Sequence, residues 1–161
     1  LFSDYHPIVE MRHSSWDSRD FYDFLKNNHS GFANIDQPVI GKSIGVTQVV
    51  TSHVGYIRFH GRNASNWFNE SSDAASRYDY LYNSNELSEL LKTIAILIEN
   101  SPKTFIIFNN HSRGQAVANA LQTAFLMSEE KVHVPNQLET YYPDLKNISK
   151  GDVQPTQISL F

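Results

Sequence analysis

Residues 56–61 read Tyr56-Ile57-Arg58-Phe59-His60-Gly61, and they alternate apolar and polar side chains as a β-strand does. Ile57 and Phe59 would share one face of that strand, and Arg58 and His60 would share the other. A strand that helices cover in a parallel sheet is normally almost entirely apolar. Charged side chains on its second face must therefore be paired or must bind something. The stretch predicts a parallel strand that carries part of a functional site.

Strand and helix patterns alternate on both sides of this stretch. The predicted strands are residues 7–12, 32–36, 56–61 and 104–108. The predicted helices are residues 17–28, 83–102 and 116–125, the second of them capped by Asn83 and Glu86 and ended by Pro102. Residues 37–53 show no clear pattern, and residues 62–83 predict a long polar loop. The alternation is typical of an α/β protein with a parallel sheet.

The pattern leaves two α/β architectures open, half of a TIM-type (β/α) barrel and a small doubly wound sheet. The chain has 161 residues, whereas a complete eight-unit barrel needs about 250. We assign residues 1–128 to the sheet and its helices, and residues 129–161 to an irregular tail with three prolines. Because Leu1 stands close to the first strand and is not a methionine, we expect an N-terminal part to be missing.

The composition excludes several classes of protein. Thirteen basic and seventeen acidic residues give a net charge of −4, so any anion site must be local. The chain has no cysteine, and no apolar run reaches the roughly 20 residues of a membrane helix. No G-x-S-x-G, Walker A or G-x-G-x-x-G pattern occurs, which argues against serine hydrolase, P-loop and dinucleotide chemistry. We expect a cytoplasmic protein with no membrane contact and no nucleotide cofactor.

Polar clusters follow the predicted strands, where parallel sheets place their active sites. The candidate acid–base groups are Glu10, Asp36 and His60. The candidate substrate-binding residues are Arg12, Arg58, Arg62, Asn63, Asn109, Asn110, His111 and Trp16. Guanidinium groups match phosphate and carboxylate bidentately, whereas the alternative is an internal ion pair with Glu10. Imidazole and carboxylate could also hold zinc or manganese, although no close-spaced metal motif such as H-E-x-x-H occurs.

Three of these clusters carry a resemblance to a known family. The blocks Glu10-Met11-Arg12-His13-Ser14-Ser15-Trp16, Arg58-Phe59-His60-Gly61-Arg62-Asn63 and Phe108-Asn109-Asn110-His111 resemble the signature blocks of the YecE-like proteins, the "domain of unknown function 72" family. Residues 78–82 before the long helix fit as well. The resemblance implies a TIM-type barrel of which this chain covers about the C-terminal half. It implies no established activity.

The last five residues are Gln157-Ile158-Ser159-Leu160-Phe161. They resemble the short peptides with which bacterial DNA-metabolism proteins dock on the sliding clamp, where Gln157, Leu160 and Phe161 would be the anchors. The alternative is that Leu160 and Phe161 pack on the protein's own surface.

Two function classes therefore remain open. In the first, the protein is a hydrolase for a phosphate-bearing or nucleic-acid substrate, with the arginines on the anion and Glu10 and His60 as acid–base or metal-binding groups. In the second, it binds a ligand or nucleic acid without catalysis and is recruited by its C-terminal peptide.

Overall fold

The computed structural model describes residues 5–67 and 74–151, which form a mixed α/β structure with parallel strands. The strands are β1 (Ile8–Val9), β2 (Gly31–Phe32), β3 (Asn34–Asp36), β4 (Val54–Phe59) and β5 (Lys103–Phe108). The α-helices are α1 (Arg19–Asn27), α2 (Ala64–Trp67), α3 (Ala74–Arg77), α4 (Ser84–Glu99), α5 (Gln115–Ser128) and α6 (Asn136–Tyr141). Short 3₁₀ turns occupy Ser14–Trp16, Ser112–Gly114 and Pro143–Asn147.

The strands follow one another across the sheet in chain order. β1 pairs with β2, and β4 pairs with both β3 and β5, every pair being parallel. Only Ala33 separates β2 from β3, and its N–H donates to Val9 O at 2.9 Å. Residues 31–36 therefore join β1 on one side to β4 on the other. This order brings the carboxyl ends of β1, β3, β4 and β5 to one edge of the sheet.

The helix boundaries follow from their caps. The Ser18 hydroxyl accepts a hydrogen bond from Phe21 N–H at the start of α1. Asn83 and Glu86 form a reciprocal capping box at the start of α4, as the sequence predicted. Leu87, Leu90, Ile94 and Leu97 on the inner face of α4 pack with Ile57 and Phe59. This packing confirms that Ile57 and Phe59 face the helices, and it leaves Arg58 on the opposite face.

Residues 37–53 form no strand, because side chains rather than a ladder hold their backbone. The buried Asn34 accepts from Val49 N–H and Thr47 Oγ1 and donates to Val49 O. Gln37, also buried, donates from Nε2 to Arg12 O at 3.1 Å and to Ile44 O at 3.2 Å. The side-chain amides of Asn34, the first residue of β3, and of Gln37, directly after β3, thus hold the connection between β3 and β4 in place.

The prediction of an irregular tail from residue 129 is wrong for residues 136–147, which form α6 and a 3₁₀ turn. Val134, Leu138 and Leu145 are buried together with Ala118 of α5. Val132 and Ser149 form an isolated parallel bridge that closes the segment. Pro135 and Pro143 stand at the starts of these helical turns, where the backbone N–H that proline lacks would have no partner within the helix. The polar loop predicted at 62–83 likewise contains α2 and α3.

Within the ranges 5–67 and 74–151, no helix combines the length and the apolar character needed to cross a membrane.

Candidate functional site

A cluster of charged and polar side chains lies at the carboxyl edge of the sheet, and we call it the Glu10 cluster. Its members are Glu10 and Arg12 after β1, Arg58 and His60 at the end of β4, and Asn109 after β5. All five were candidate site residues from the sequence. The parallel register brings them together from positions that are 2 to 99 residues apart in the chain.

Glu10 is the centre of this cluster. Arg12 Nε donates to its Oε1 at 3.0 Å, and Arg58 Nη1 donates to its Oε2 at 3.0 Å. His60 Nε2 lies 3.2 Å from the same Oε1. The hydrogen bond with His60 and the charges around it lower the pKa of Glu10 to about 2, although burial opposes this shift. Glu10 is therefore an anion that organises the arginines, and its low pKa makes it a weak general base at neutral pH.

Hydrogen bonds define the tautomer of His60. His60 Nε2 lies 3.2 Å from Glu10 Oε1, which can only accept, and 3.4 Å from Arg12 Nη2, which can only donate. The shorter contact with Glu10 favours a proton on His60 Nε2. Arg58 Nη2 donates to Asn109 Oδ1 at 3.0 Å, which turns the Asn109 amide nitrogen toward His60 Nδ1 at 3.3 Å. His60 Nδ1 is therefore the acceptor. Both ring nitrogens of His60 are occupied within the cluster.

The exposure of these side chains separates their roles. The His60 side chain is fully buried, whereas those of Arg12 and Arg58 are 45% and 33% exposed. A ligand from solvent would meet the two guanidinium groups first. These groups carry two positive charges against the single charge of Glu10, and the buried Arg58 Nε has no hydrogen-bond partner among the described residues. The cluster is thus electropositive and has an unused donor.

Asp36 and Arg62, also candidates from the sequence, form a neighbouring pair outside the Glu10 cluster. Arg62 Nε donates to both carboxylate oxygens of Asp36 at 2.9 and 3.0 Å, and Arg62 Nη1 approaches Glu86 at 3.4 Å. Burial raises the pKa of Asp36, while Arg62 acts in the opposite direction. The Asp36 side chain is only 3% exposed, so in this conformation it holds the end of β3 to Arg62.

Asn63 and Asn110 hold the backbone after β4 and β5. Asn63 Nδ2 donates to Ser76 O and Asp79 O, at 2.9 and 3.1 Å. The fully buried Asn110 donates to Tyr80 O and to Asn119 Oδ1, both at 2.8 Å. Both side-chain amides thus hold the turns that follow the two strands.

His111 and Trp16 make no hydrogen bond to the Glu10 cluster in the described structure. His111 is exposed, its Nδ1 lies 3.0 Å from Asn109 O, and its ring packs against Tyr78. Trp16 is 42% exposed and packs on Phe21, with ring centroids 4.7 Å apart. The structure does not bring either side chain to the carboxylate.

Sequence reasoning missed the contribution of residues 37–43 to this edge of the sheet. Gln37 holds the Arg12 carbonyl, and Lys42 O accepts from Ser14 N–H at 2.8 Å. Both residues lie in the segment for which no pattern was found. The sequence shows only a glutamine directly after the predicted strand 32–36, and its burial is visible only in the structure.

The donor set does not fit a metal ion in the described ranges. No group of three or more His, Asp or Glu side chains that could hold a metal occurs in residues 5–67 and 74–151. Glu10 and His60 are adjacent, but their facing atoms already bond with each other and with arginine.

The clamp-binding candidates Gln157, Leu160 and Phe161 lie outside the described residues.

Comparisons with known proteins agree with the resemblance found in the sequence. The family described as "Protein of unknown function DUF72" matches residues 1–143. The UPF0759 protein YunF of Bacillus subtilis (strain 168) is 31% identical over an alignment of 143 residues that covers 83% of this chain and 51% of that protein.

Solved structures of the same family are also similar. A DUF72 family protein from Thermotoga maritima MSB8 matches with a TM-score of 0.72 and 37% identity, over 76% of this chain and 46% of that one. A DUF72 family protein from Enterococcus faecalis V583 matches with a TM-score of 0.69 and 28% identity, over 98% of this chain and 53% of that one. The chain spans about half the length of these relatives.

Proposed function

The chain belongs to the DUF72 family of proteins of unknown function, and from the geometry of its Glu10 cluster we propose that it binds a phosphate-bearing ligand at the carboxyl edge of the sheet. Arg12 and Arg58 would contact the anion, and Glu10 would hold their guanidinium groups in place. The observation that carries the proposal is the charge balance: two arginines share one carboxylate, and both remain accessible to solvent.

Phosphate suits this arrangement because a guanidinium group presents several N–H donors in one plane and can pair with two oxygens at once. The ion pairs with Glu10 hold both guanidinium groups in place before a ligand binds, which lowers the entropic cost of binding. Glu10 keeps its negative charge at neutral pH, so one net positive charge remains for the ligand to neutralise.

The test is calorimetric titration with inorganic phosphate at low ionic strength, where charge–charge attraction is least screened. We expect saturable binding that Arg12→Gln weakens by about tenfold or more, since a hydrogen bond to a charged group contributes roughly 1.5–3 kcal/mol. Arg19→Gln is the matched control, because Arg19 is an exposed arginine on α1 that pairs with Asp23. Circular dichroism would verify that both variants fold. Binding that Arg12→Gln leaves unchanged, or no binding by the wild type, would refute the proposal.

Hydrolysis of a phosphoester is the second candidate, and the Glu10–His60–Asn109 hydrogen-bond chain favours it. A chain of this kind fixes an imidazole in one tautomer, as general acid–base catalysis requires. His60 would have to release Glu10 and turn outward before it could transfer a proton to a ligand. Turnover of bis(p-nitrophenyl) phosphate that His60→Gln abolishes, with phosphate affinity retained, would support catalysis. No turnover in the wild type would leave a ligand-binding protein.

We also propose that the strands are an arc of a TIM-type barrel, of which residues 1–128 would form about the C-terminal half. Two observations support this. The strands are parallel and in chain order, and the chain matches about half of each family structure. Docking of residues 157–161 on a sliding clamp remains a separate proposal, which rests on the sequence alone.

A further inference from the structure

We infer that the groove next to the Glu10 cluster is a second anion subsite, so that the ligand carries at least two phosphate groups. This inference rests on the proposed function, because Arg12 would belong to both subsites. The groove encloses about 440 Å³, within the range of small-ligand pockets. It is lined by Arg12, His13, Gln37, Ile40, Lys42, Ser43, Trp67 and Arg77, and we call it the basic groove.

The charge of the basic groove is the first argument. Arg12, Lys42 and Arg77 line it, and no acidic side chain from residues 5–67 and 74–151 does. Among the described residues, neither Lys42 nor Arg77 has a carboxylate within 4.0 Å, and the buried Arg77 Nε has no hydrogen-bond partner. Among the described residues, the basic groove and the Glu10 cluster together hold four cations, counting Arg58, and one carboxylate, that of Glu10, in a chain whose net charge is −4. Such a concentration of positive charge favours a ligand with several negative charges.

The rigidity of the groove wall is the second argument. His13 and Ser43 form an antiparallel bridge, and Ile44 N–H donates to Arg12 O at 2.9 Å. Gln37 joins the same two segments through Arg12 O and Ile44 O. These contacts hold the backbone of residues 12–14 beside that of residues 42–44. The side chains of Arg12 and Lys42 therefore start from fixed backbone positions, which lowers the entropic cost of binding.

His13 supplies a further donor beside these cations. Its Nδ1 accepts from Ser15 N–H at 3.1 Å, so Nδ1 carries a lone pair and Nε2 carries the proton. The His13 side chain is exposed. Its Nε2–H can therefore donate to an oxygen of a ligand in the groove.

Arg12 connects the two subsites. Its guanidinium carbon lies 5.9 Å from the centre of the Trp67 ring, while its Nε bonds to Glu10. The contact with the indole face keeps the group between the cluster and the groove. A ligand with two neighbouring phosphate groups could place one on Arg58 and one on Lys42, with Arg12 between them. Pyrophosphate-containing small molecules and the phosphodiester chain of a single-stranded nucleic acid share this chemistry.

The test compares three probes by calorimetric titration, namely inorganic phosphate, pyrophosphate and a thymidine tetranucleotide. We expect pyrophosphate or the tetranucleotide to bind at least about tenfold more tightly than phosphate. The double variant Lys42→Gln, Arg77→Gln should remove this advantage and leave the affinity for phosphate unchanged. Lys92→Gln, an exposed lysine on α4, is the matched control and should change nothing. The probe that gains affinity identifies the source of the phosphates.

The outcomes separate this inference from the proposed function. Phosphate binding that depends on Arg12, with no tighter binding of either longer probe, would overturn the inference alone. Tighter binding of a longer probe that the double variant leaves intact would also overturn it. No phosphate binding at all would refute the proposed function. In that case, pyrophosphate binding that depends on Lys42 and Arg77 would still support a site in the groove.

Discussion

Replacing Glu10 with glutamine should remove a defined part of the acid sensitivity of the fold. The pKa of Glu10 falls from its ordinary value near 4.5 to about 2, mainly because His60 bonds to it and with help from Arg12 and Arg58. Each pKa unit corresponds to about 1.4 kcal/mol, so ionised Glu10 stabilises the folded state by roughly 3 kcal/mol at neutral pH. The side chain is only 21% exposed, so solvent screens little of this amount.

The pKa of Glu10 is lower in the folded state than in the unfolded state, and this determines how its stabilisation depends on pH. The stabilisation is complete above about pH 5 and is lost as the pH falls toward 2, with about 2 kcal/mol gone by pH 3. The assay is urea denaturation followed by circular dichroism at several pH values, for the wild type and Glu10→Gln. Their difference in unfolding free energy should shrink by about 2 kcal/mol between pH 7 and pH 3. Glu99→Gln, at an exposed position at the end of α4, should show no such change. Wild-type and Glu10→Gln curves that stay parallel across this range would refute the role assigned to Glu10.

Three further predictions concern Gly61, the tautomer of His60 and the last two residues of the chain. Gly61→Ala should destabilise the fold by about 1–3 kcal/mol in thermal melts, because Gly61 has φ +87° and an added Cβ would lie 2.7 Å from Tyr80 Cβ. Gly45→Ala should be nearly neutral, because a Cβ added there meets no atom within 4 Å. Nitrogen-15 chemical shifts should identify Nδ1 of His60 as the unprotonated ring nitrogen. Glu10→Gln should weaken that preference, because an amide can donate to Nε2 as well as accept from it. An Nδ1–H tautomer in the wild type would contradict the hydrogen-bond assignment. Deleting residues 160–161 should abolish clamp binding in a pull-down without lowering the melting temperature, and a lower melting temperature would instead indicate that they pack on the protein itself.

The sequence predicted the parts of the molecule in which local pattern and packing agree. The strand at 56–61 and the helix after Asn83 have strong periodicity and clear end signals, and both are present. Arg58 and His60 were expected on one face, and both contact Glu10 there. Alternation along a strand was sufficient for this result, since a parallel sheet brings its carboxyl ends together.

The parts that escaped prediction depend on contacts between distant residues. The side-chain amides of Asn34 and Gln37 hold the backbone of residues 37–53, and no local pattern in the sequence reveals the partners of these amides. Asp36 stood at a strand end like Glu10, but the bifurcated hydrogen bond from Nε of Arg62, 26 residues later, determines its surroundings. The segment after residue 129 folds because Leu138 and Leu145 bury against α5, although its prolines suggested an irregular chain.

Among the described strands, β5 pairs only with β4, and its other edge should affect amide hydrogen exchange. Asn109 N–H donates to Phe59 O, and strand alternation therefore directs the amides of residues 105 and 107 toward β4 as well. The amides of residues 104, 106 and 108 point to the other side, where no described strand pairs with β5. Exchange rates along β5 should thus alternate between slow and fast from one residue to the next. Uniformly slow exchange would mean that another strand, from the rest of a longer chain or from a second molecule, covers this edge in solution.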